Sequence, residues 1–164
     1  MRIYIPATNR DLKSAPIEPR VVHAVTRALE HALGVDEDSE VVEAVAMNAA
    51  ADDSLRLVGT ARSEGVAVAP RRCVIVAVVP DAHVSPLDPE SYDLDEHLPS
   101  AVYLNQPVGW KKIESIHVDD LEAEQDVAEA ADGDEAAFDR VIDEDLMWYD
   151  VAERDALARM LAAE

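Results

Sequence analysis

One cysteine, five glycines and seven aromatic residues are all that this 164-residue chain has of the types that most often build metal, nucleotide and cofactor sites. Each scarcity excludes something. A lone Cys73 has no partner for an intramolecular disulfide, which fits a reducing, cytoplasmic setting, and inside an apolar run a thiol behaves as a small hydrophobe. With that one thiol, and with His31, His83 and His97 standing apart, no zinc-ligand spacing is present. The glycines are isolated, so there is no phosphate loop, dinucleotide fingerprint or nucleophile elbow, and Ser115 lacks the glycine frame of a hydrolase nucleophile. Few aromatics leave the core to Ala, Val, Leu and Ile and argue against an aromatic platform for a nucleotide or sugar. No apolar run is long enough to cross a bilayer. The opening M-R-I-Y-I-P passes at once to Asn9, Arg10 and Asp11, too soon for the apolar region of a signal peptide.

Cations are scarce too. Fourteen Lys and Arg face 35 Asp and Glu, for a net charge of −21. Residues 1–82 hold 12 acids and 9 bases, whereas residues 83–164 hold 23 acids and 5 bases. Such a surface argues against direct nucleic-acid binding, which needs cations to displace phosphate counterions. It suits a basic protein partner, and it also suits solubility alone. The clustered Asp residues contain no calcium loop ending in the required glutamate. Neither a metal nor a cofactor is therefore expected.

What the chain does have is a centre. Residues 71–80, R-R-C-V-I-V-A-V-V-P, carry seven uninterrupted apolar residues with no alternation, which predicts a strand buried on both faces and ended by Pro80. Residues 2–6 alternate as a short strand, and Thr8 with Asp11 at capping-box spacing turns it into a short helix that Pro16 and Pro19 end. Residues 21–26 predict a second strand, and residues 27–33 a helix closed by Gly34. Asp36, Asp38 and Ser39 offer N-cap oxygens for a long helix whose stripe is Val41, Ala44, Val45, Ala51, Leu55 and Val58, with a break at Asp52-Asp53 as an alternative to continuity. Gly59 and Gly65 loosen its end.

Residues 81–100 contain four prolines with Asp-rich surroundings and are expected to form a partly mobile surface loop. Strands are expected at 101–104 and 113–118, joined through the turn of residues 106–109. From residue 119 onward, acidic helices keep one apolar face: Val127, Ala130 and Ala131 up to Gly133; Phe138, Val141, Ile142, Leu146 and Trp148 after Asp134; then Leu157, Met160 and Leu161 after an Asp150–Glu153 capping box.

These pieces, in this order, carry a resemblance. The opening M-R-I-Y-I-P-A-T, the V-V-P-D of residues 78–81, the I-H-V-D-D of residues 116–120 and the L-M-W-Y-D of residues 146–150 resemble a family of small uncharacterised actinobacterial proteins, a domain of unknown function. The likeness spans almost the whole chain. It implies an actinobacterial, cytoplasmic, single-domain protein, and it implies no activity.

Residues that could do chemistry are few. His117 and Asp119 lie two apart on a predicted strand, hence on one face, where an imidazole and a carboxylate can share a metal or act as base and orienter. The same residues fit a plainer arrangement, with Asp119 or Asp120 capping the next helix and His117 bonded locally. Tyr4, Thr8 and Asn9, at the end of the first strand, are the expected companions of such a site. His23 alternates with apolar neighbours and reads as a structural histidine. Trp148 and Tyr149 either anchor a partner or close the core between two helices.

The expected architecture is α+β: a mixed, mostly antiparallel sheet of four or five strands, helices packed on one side, and an acidic helical C-terminal third at residues 119–163, all in one domain spanning 1–164. The expected role is a non-catalytic interaction or regulatory module with an acidic surface and a basic protein partner. The alternative is a small enzyme or metabolite-binding protein with its site near His117 and Asp119.

Overall fold

The apolar run sits at the centre of the sheet because it can be buried from both sides. In the computed structural model, which describes residues 1–34, 39–92 and 99–162, this run is β3 (Cys73–Val78). It pairs antiparallel with β1 (Arg2–Ala7) on one side and β6 (Ile113–Val118) on the other. Outward from β1 lie β2 (Arg20–Ala24), β5 (Ala101–Leu104) and the two-residue β4 (Val84–Ser85). Outward from β6 lies β7 (Met147–Asp150). The order is β4-β5-β2-β1-β3-β6-β7, antiparallel throughout.

Seven strands replace the expected four or five, and both additions have a physical reason. β4 is only two residues of the proline-rich stretch, held by β5, so residues 81–100 are not simply a loop. Asp81–His83 form a 3-10 turn before it, and residues 93–98 of the expected mobile segment lie outside the described residues. β7 follows a helix whose apolar spacing runs on through Leu146 and Trp148, so its four residues read as helix. The acidic C-terminal third is consequently not all helical.

Period-2 alternation divides the sheet into two apolar faces. Ile3, Ile5, Ala7, Cys73, Ile75, Ala77, Ile116 and Val118 face Leu12, Ile17 and the buried side of α5 (Arg154–Ala162), formed by Leu157, Ala158 and Leu161. Tyr4, Val74 and Val76 face the opposite way, under Val42, Ala46 and Ala50 of α2 (Ser39–Ser63). Helices therefore cover both sides of the sheet, not one. α1 (Arg27–Leu33) ends at Gly34, whose φ of 96° needs a residue without Cβ.

α2 is continuous through Asp52 and Asp53. Its buried side runs through Val42, Ala46, Ala50, Ala51, Ser54, Leu55 and Val58; the expected Ala51, Leu55 and Val58 are on it, whereas Val41 and Ala44 are exposed, so the expected face is displaced by about one residue only in the first turns. In an alanine-rich helix many registers look alike, and contact with Tyr4 selects this one. Asp36 and Asp38, the expected caps, lie outside the described residues. Ser54 ties the helix to the sheet: its Oγ donates to Ala7 O at 2.6 Å and accepts from Cys73 N at 2.8 Å.

The acidic helices α3 (Glu124–Ala131) and α4 (Glu135–Val141) pack beside α2, with Val127 and Val141 meeting Leu55. α4 starts at Asp134, whose carboxylate accepts from Ala137 N, and α5 follows the expected Asp150–Glu153 capping box. No helix among the described residues is long and apolar enough to cross a membrane.

Gly59 does not loosen α2; it admits α3. A Cβ there would stand 2.8 Å from the Ala131 carbonyl oxygen, a backbone atom that cannot swing aside. Overpacking of this kind costs about 1–3 kcal/mol, more than the ~0.5–1 kcal/mol that alanine returns in a helix. Gly59→Ala should therefore lower the urea midpoint at unchanged m-value, while Gly109→Ala, which meets open space, should leave it in place. A raised midpoint for Gly59→Ala would mean that the two helices part freely.

Candidate functional site

The sheet register brings together residues that are far apart in the chain. On the α2 side, Tyr4 lies opposite Val76, Val76 opposite Ser115, and Ser115 opposite Asp150. In the next row, Val74 lies opposite His117 and His117 opposite Trp148. Where these rows meet the margin of α2 they form a cleft of about 420 Å³, lined by Arg2, Tyr4, Met47, Val76, Glu114, Ser115, His117 and Trp148.

A break in the β6 register supplies its charged rim. Val76 pairs with Ser115 but Ala77 with Ile113, so Glu114 is the extra residue of a β-bulge. Its carboxylate accepts from Arg2 Nε at 2.9 Å, and Glu43 of α2 accepts from Arg2 Nη1 at 3.0 Å. The hydrogen bond to Glu114 raises the Arg2 pKa further, so this cation stays charged. Burial pushes the Tyr4 phenol up, and the Glu43 charge adds to the rise. Burial lowers the His117 imidazole, which is neutral at physiological pH.

His117 Nε2 lies 2.9 Å from Ser115 Oγ, and its Nδ1 has no protein partner among the described residues. A serine beside an imidazole is part of a nucleophilic constellation, but the orienting carboxylate is missing. Asp119 does not supply it. Its residue is fully buried and its two oxygens accept from Arg72: Oδ2 from the backbone N at 2.7 Å and Nε at 2.9 Å, Oδ1 from Nη2 at 2.7 Å. The cleft thus offers one open imidazole nitrogen, a phenol and an indole, a set suited to recognition.

Of the expected companions of His117, Tyr4 converges and the other two do not. Thr8 and Asn9 stand past the far end of β1, where Thr8 N donates to Asp11 Oδ2 and Asn9 Oδ1 accepts from Ala69 N at 2.9 Å. Trp148 and Tyr149 do not close a core between helices. They alternate along β7, Trp148 60% exposed beside His117 and Tyr149 half-buried on the α5 side.

One constellation had no signal in the sequence. Ser100 Oγ is 2.7 Å from His23 Nδ1, and His23 Nε2 meets Asp53 Oδ2 on α2. Its members are 77 and 30 positions apart, beyond any local spacing rule. Ser100 and His23 are both buried, and the Ser100 carbonyl accepts from Ala24 N, so the array seals α2 onto β2 and the serine has no access to a substrate. His23 is the structural histidine its apolar neighbours implied. Among the described residues no three His, Cys, Asp or Glu side chains could together hold a metal ion.

The chain belongs to a family described as a family of unknown function, DUF6912, whose model matches residues 1–158. No curated protein and no solved structure matches it.

Removing one partner of the buried Arg72–Asp119 pair leaves an uncompensated charge, so Asp119→Ala should cost about 3–5 kcal/mol in urea unfolding. A loss within ~0.5 kcal/mol would show that the pair is dispensable. For His117, the folded pKa lies below the unfolded value of 6.5. The unfolded chain therefore takes up the proton first: the stability in question is complete above pH 6.5 and falls as pH drops through the folded pKa. His117→Gln should flatten that part of the stability–pH curve, and an unchanged curve would contradict the burial of this imidazole.

Proposed function

We propose that the protein is an interaction module that holds a basic, extended segment of a partner protein along the edge of β7. One observation carries this reading: Trp148 stands 60% exposed on an edge strand, three residues after a run of three acids that no cation among the described residues neutralises. Asp143, Glu144 and Asp145 are all exposed and have no ion pair among the described residues. Ile142 and Met147 on either side are also exposed, at 50% and 48%.

Three physical terms then act at one place. Among the described residues β7 pairs with β6 alone, so the other side of its backbone can accept an added strand. The acids attract and orient a cationic segment. The indole, rigid and amphipathic, is the side-chain type that most often anchors an interface. β7 carries no lysine or proline, the residues that commonly protect such an edge. The free thiol of Cys73, buried and with its pKa raised by that burial, supports a reducing, cytoplasmic setting for this module.

A second reading, a small metabolite held between Tyr4, His117 and Trp148, is favoured by the open Nδ1 of His117. The two differ in what they require: the edge and its acids for the first, the imidazole for the second.

A fluorescent peptide alternating arginine and valine presents both side-chain types to opposite sides when extended, and it is the probe of choice. Trp148→Ala should weaken its binding by about 2 kcal/mol, roughly thirtyfold in Kd. The triple variant D143N/E144Q/D145N should weaken it and flatten its salt dependence. Binding that survives both changes would sink the proposal. Loss of ligand-induced thermal stabilisation on His117→Ala, with no peptide binding by the wild-type chain, would favour the metabolite instead.

A further inference from the structure

The cations of this acidic chain are mostly consumed internally. Seven of the eleven arginines form ion pairs with carboxylates, and an eighth, Arg154, lies over the Trp110 ring at 4.1 Å while its Nε donates to Leu12 O. Among the described residues the cations outside any such pairing are Arg10, Lys13, Arg27, Lys111, Lys112 and Arg159. Two of these share a cleft.

Arg10 and Lys13 lie on the 3-10 turn Asn9–Lys13. In a 3-10 helix side chains three apart eclipse one another, so both leave the turn on the same side. There they line a cavity of about 410 Å³ with Asn9, Ala67–Ala69, Leu161 and Ala162. Asn9 fixes the cavity's wall by accepting from Ala69 N, which leaves its amide nitrogen unspent. The N–H groups of Ala67 and Val68 also have no partner among the described residues. Among the described residues no acid lines the cleft: Asp11, on the same turn, is held by Arg20 at 2.9 Å and by Thr8 N. In a protein of net charge −21, these two exposed cations have no carboxylate partner among the described residues and are free to meet an anion.

We propose that this cleft binds a small phosphate monoester, its phosphoryl group between Arg10 and Lys13 and its short carbon chain along Val68 and Ala162. Two cations match the charge of about −1.5 to −2 that a phosphate monoester carries at neutral pH. The guanidinium fork and the unspent N–H donors match its three terminal oxygens. The volume suits a metabolite-sized ligand. No aromatic residue lines the wall, so a nucleobase or a sugar ring has nothing to stack on, and a short acyclic phosphate monoester such as glycerol phosphate is the fitting class.

The test is isothermal titration of the full chain at constant ionic strength with glycerol phosphate, inorganic phosphate and succinate as separate probes. Glycerol phosphate should bind more tightly than the other two. R10Q/K13Q should weaken it by at least about tenfold, with an unliganded melting temperature equal to that of the wild type. K111Q/K112Q removes two cations outside the cleft and should leave binding within about twofold of wild type. Equal losses in the two double variants would reduce the effect to general surface charge and overturn the site. So would absence of binding at millimolar glycerol phosphate, or succinate binding as tightly as glycerol phosphate.

Discussion

A single buried carboxylate, Asp119, holds together the half of the molecule that β3 alone could not organise. It accepts three hydrogen bonds from Arg72, and the same guanidinium donates to the Glu144 carbonyl at 3.1 Å. One ion pair thereby joins the start of β3, the end of β6 and the entry to β7. Both residues are almost fully buried, so the desolvation of two charges opposes their attraction, and the pair is better understood as setting arrangement than as adding net stability. What it arranges is the return of the chain to the sheet. With Glu144 fixed, residues 147–150 reach β6 in register, and His117 acquires Trp148 as its cross-strand neighbour.

Much of the core was legible because its signals are local. The unbroken run at 71–80, the Thr8–Asp11 and Asp150–Glu153 boxes, and Gly34 and Gly133 after helices each act within a few residues. Local patterns mislead where two periodicities overlap. After Val141, Ile142, Leu146 and Trp148 continue helical spacing, and only pairing across to β6 makes the last of them part of a strand. The face of α2 was ambiguous for a related reason: among so many alanines, no register is strongly preferred until Tyr4 is packed against one.

The site was half legible, and the half that failed did so through partners distant in sequence. Tyr4 and His117 were named together and do share a cleft. The pairing of His117 with Asp119 rested on alternation continuing past Val118. It does continue, but Arg72 stands opposite Asp119 with both hydrogen-bond donors and charge, and a carboxylate so occupied is lost to an imidazole two residues away. The two arginines before the central strand were visible as flanking charges. That each has an acid 47 or 53 positions on, Asp119 and Glu124, follows only from the fold.

Coverage of both sheet faces then decides where recognition can occur. Among the described residues α2 packs on one face and α5 on the other, which points to the sheet's two edges and the seams between covering elements. The edges are unequal. β4 is two residues long, so it offers little backbone to template a further strand. β7 has twice that length and an exposed indole. The seam between the first 3-10 turn and α5 keeps cations, while the stretch leading into β7 keeps acids. The net charge of the chain conceals this division, because it sums an acidic stretch that leads by Leu146 to the α2 face with two unpaired cations beside α5.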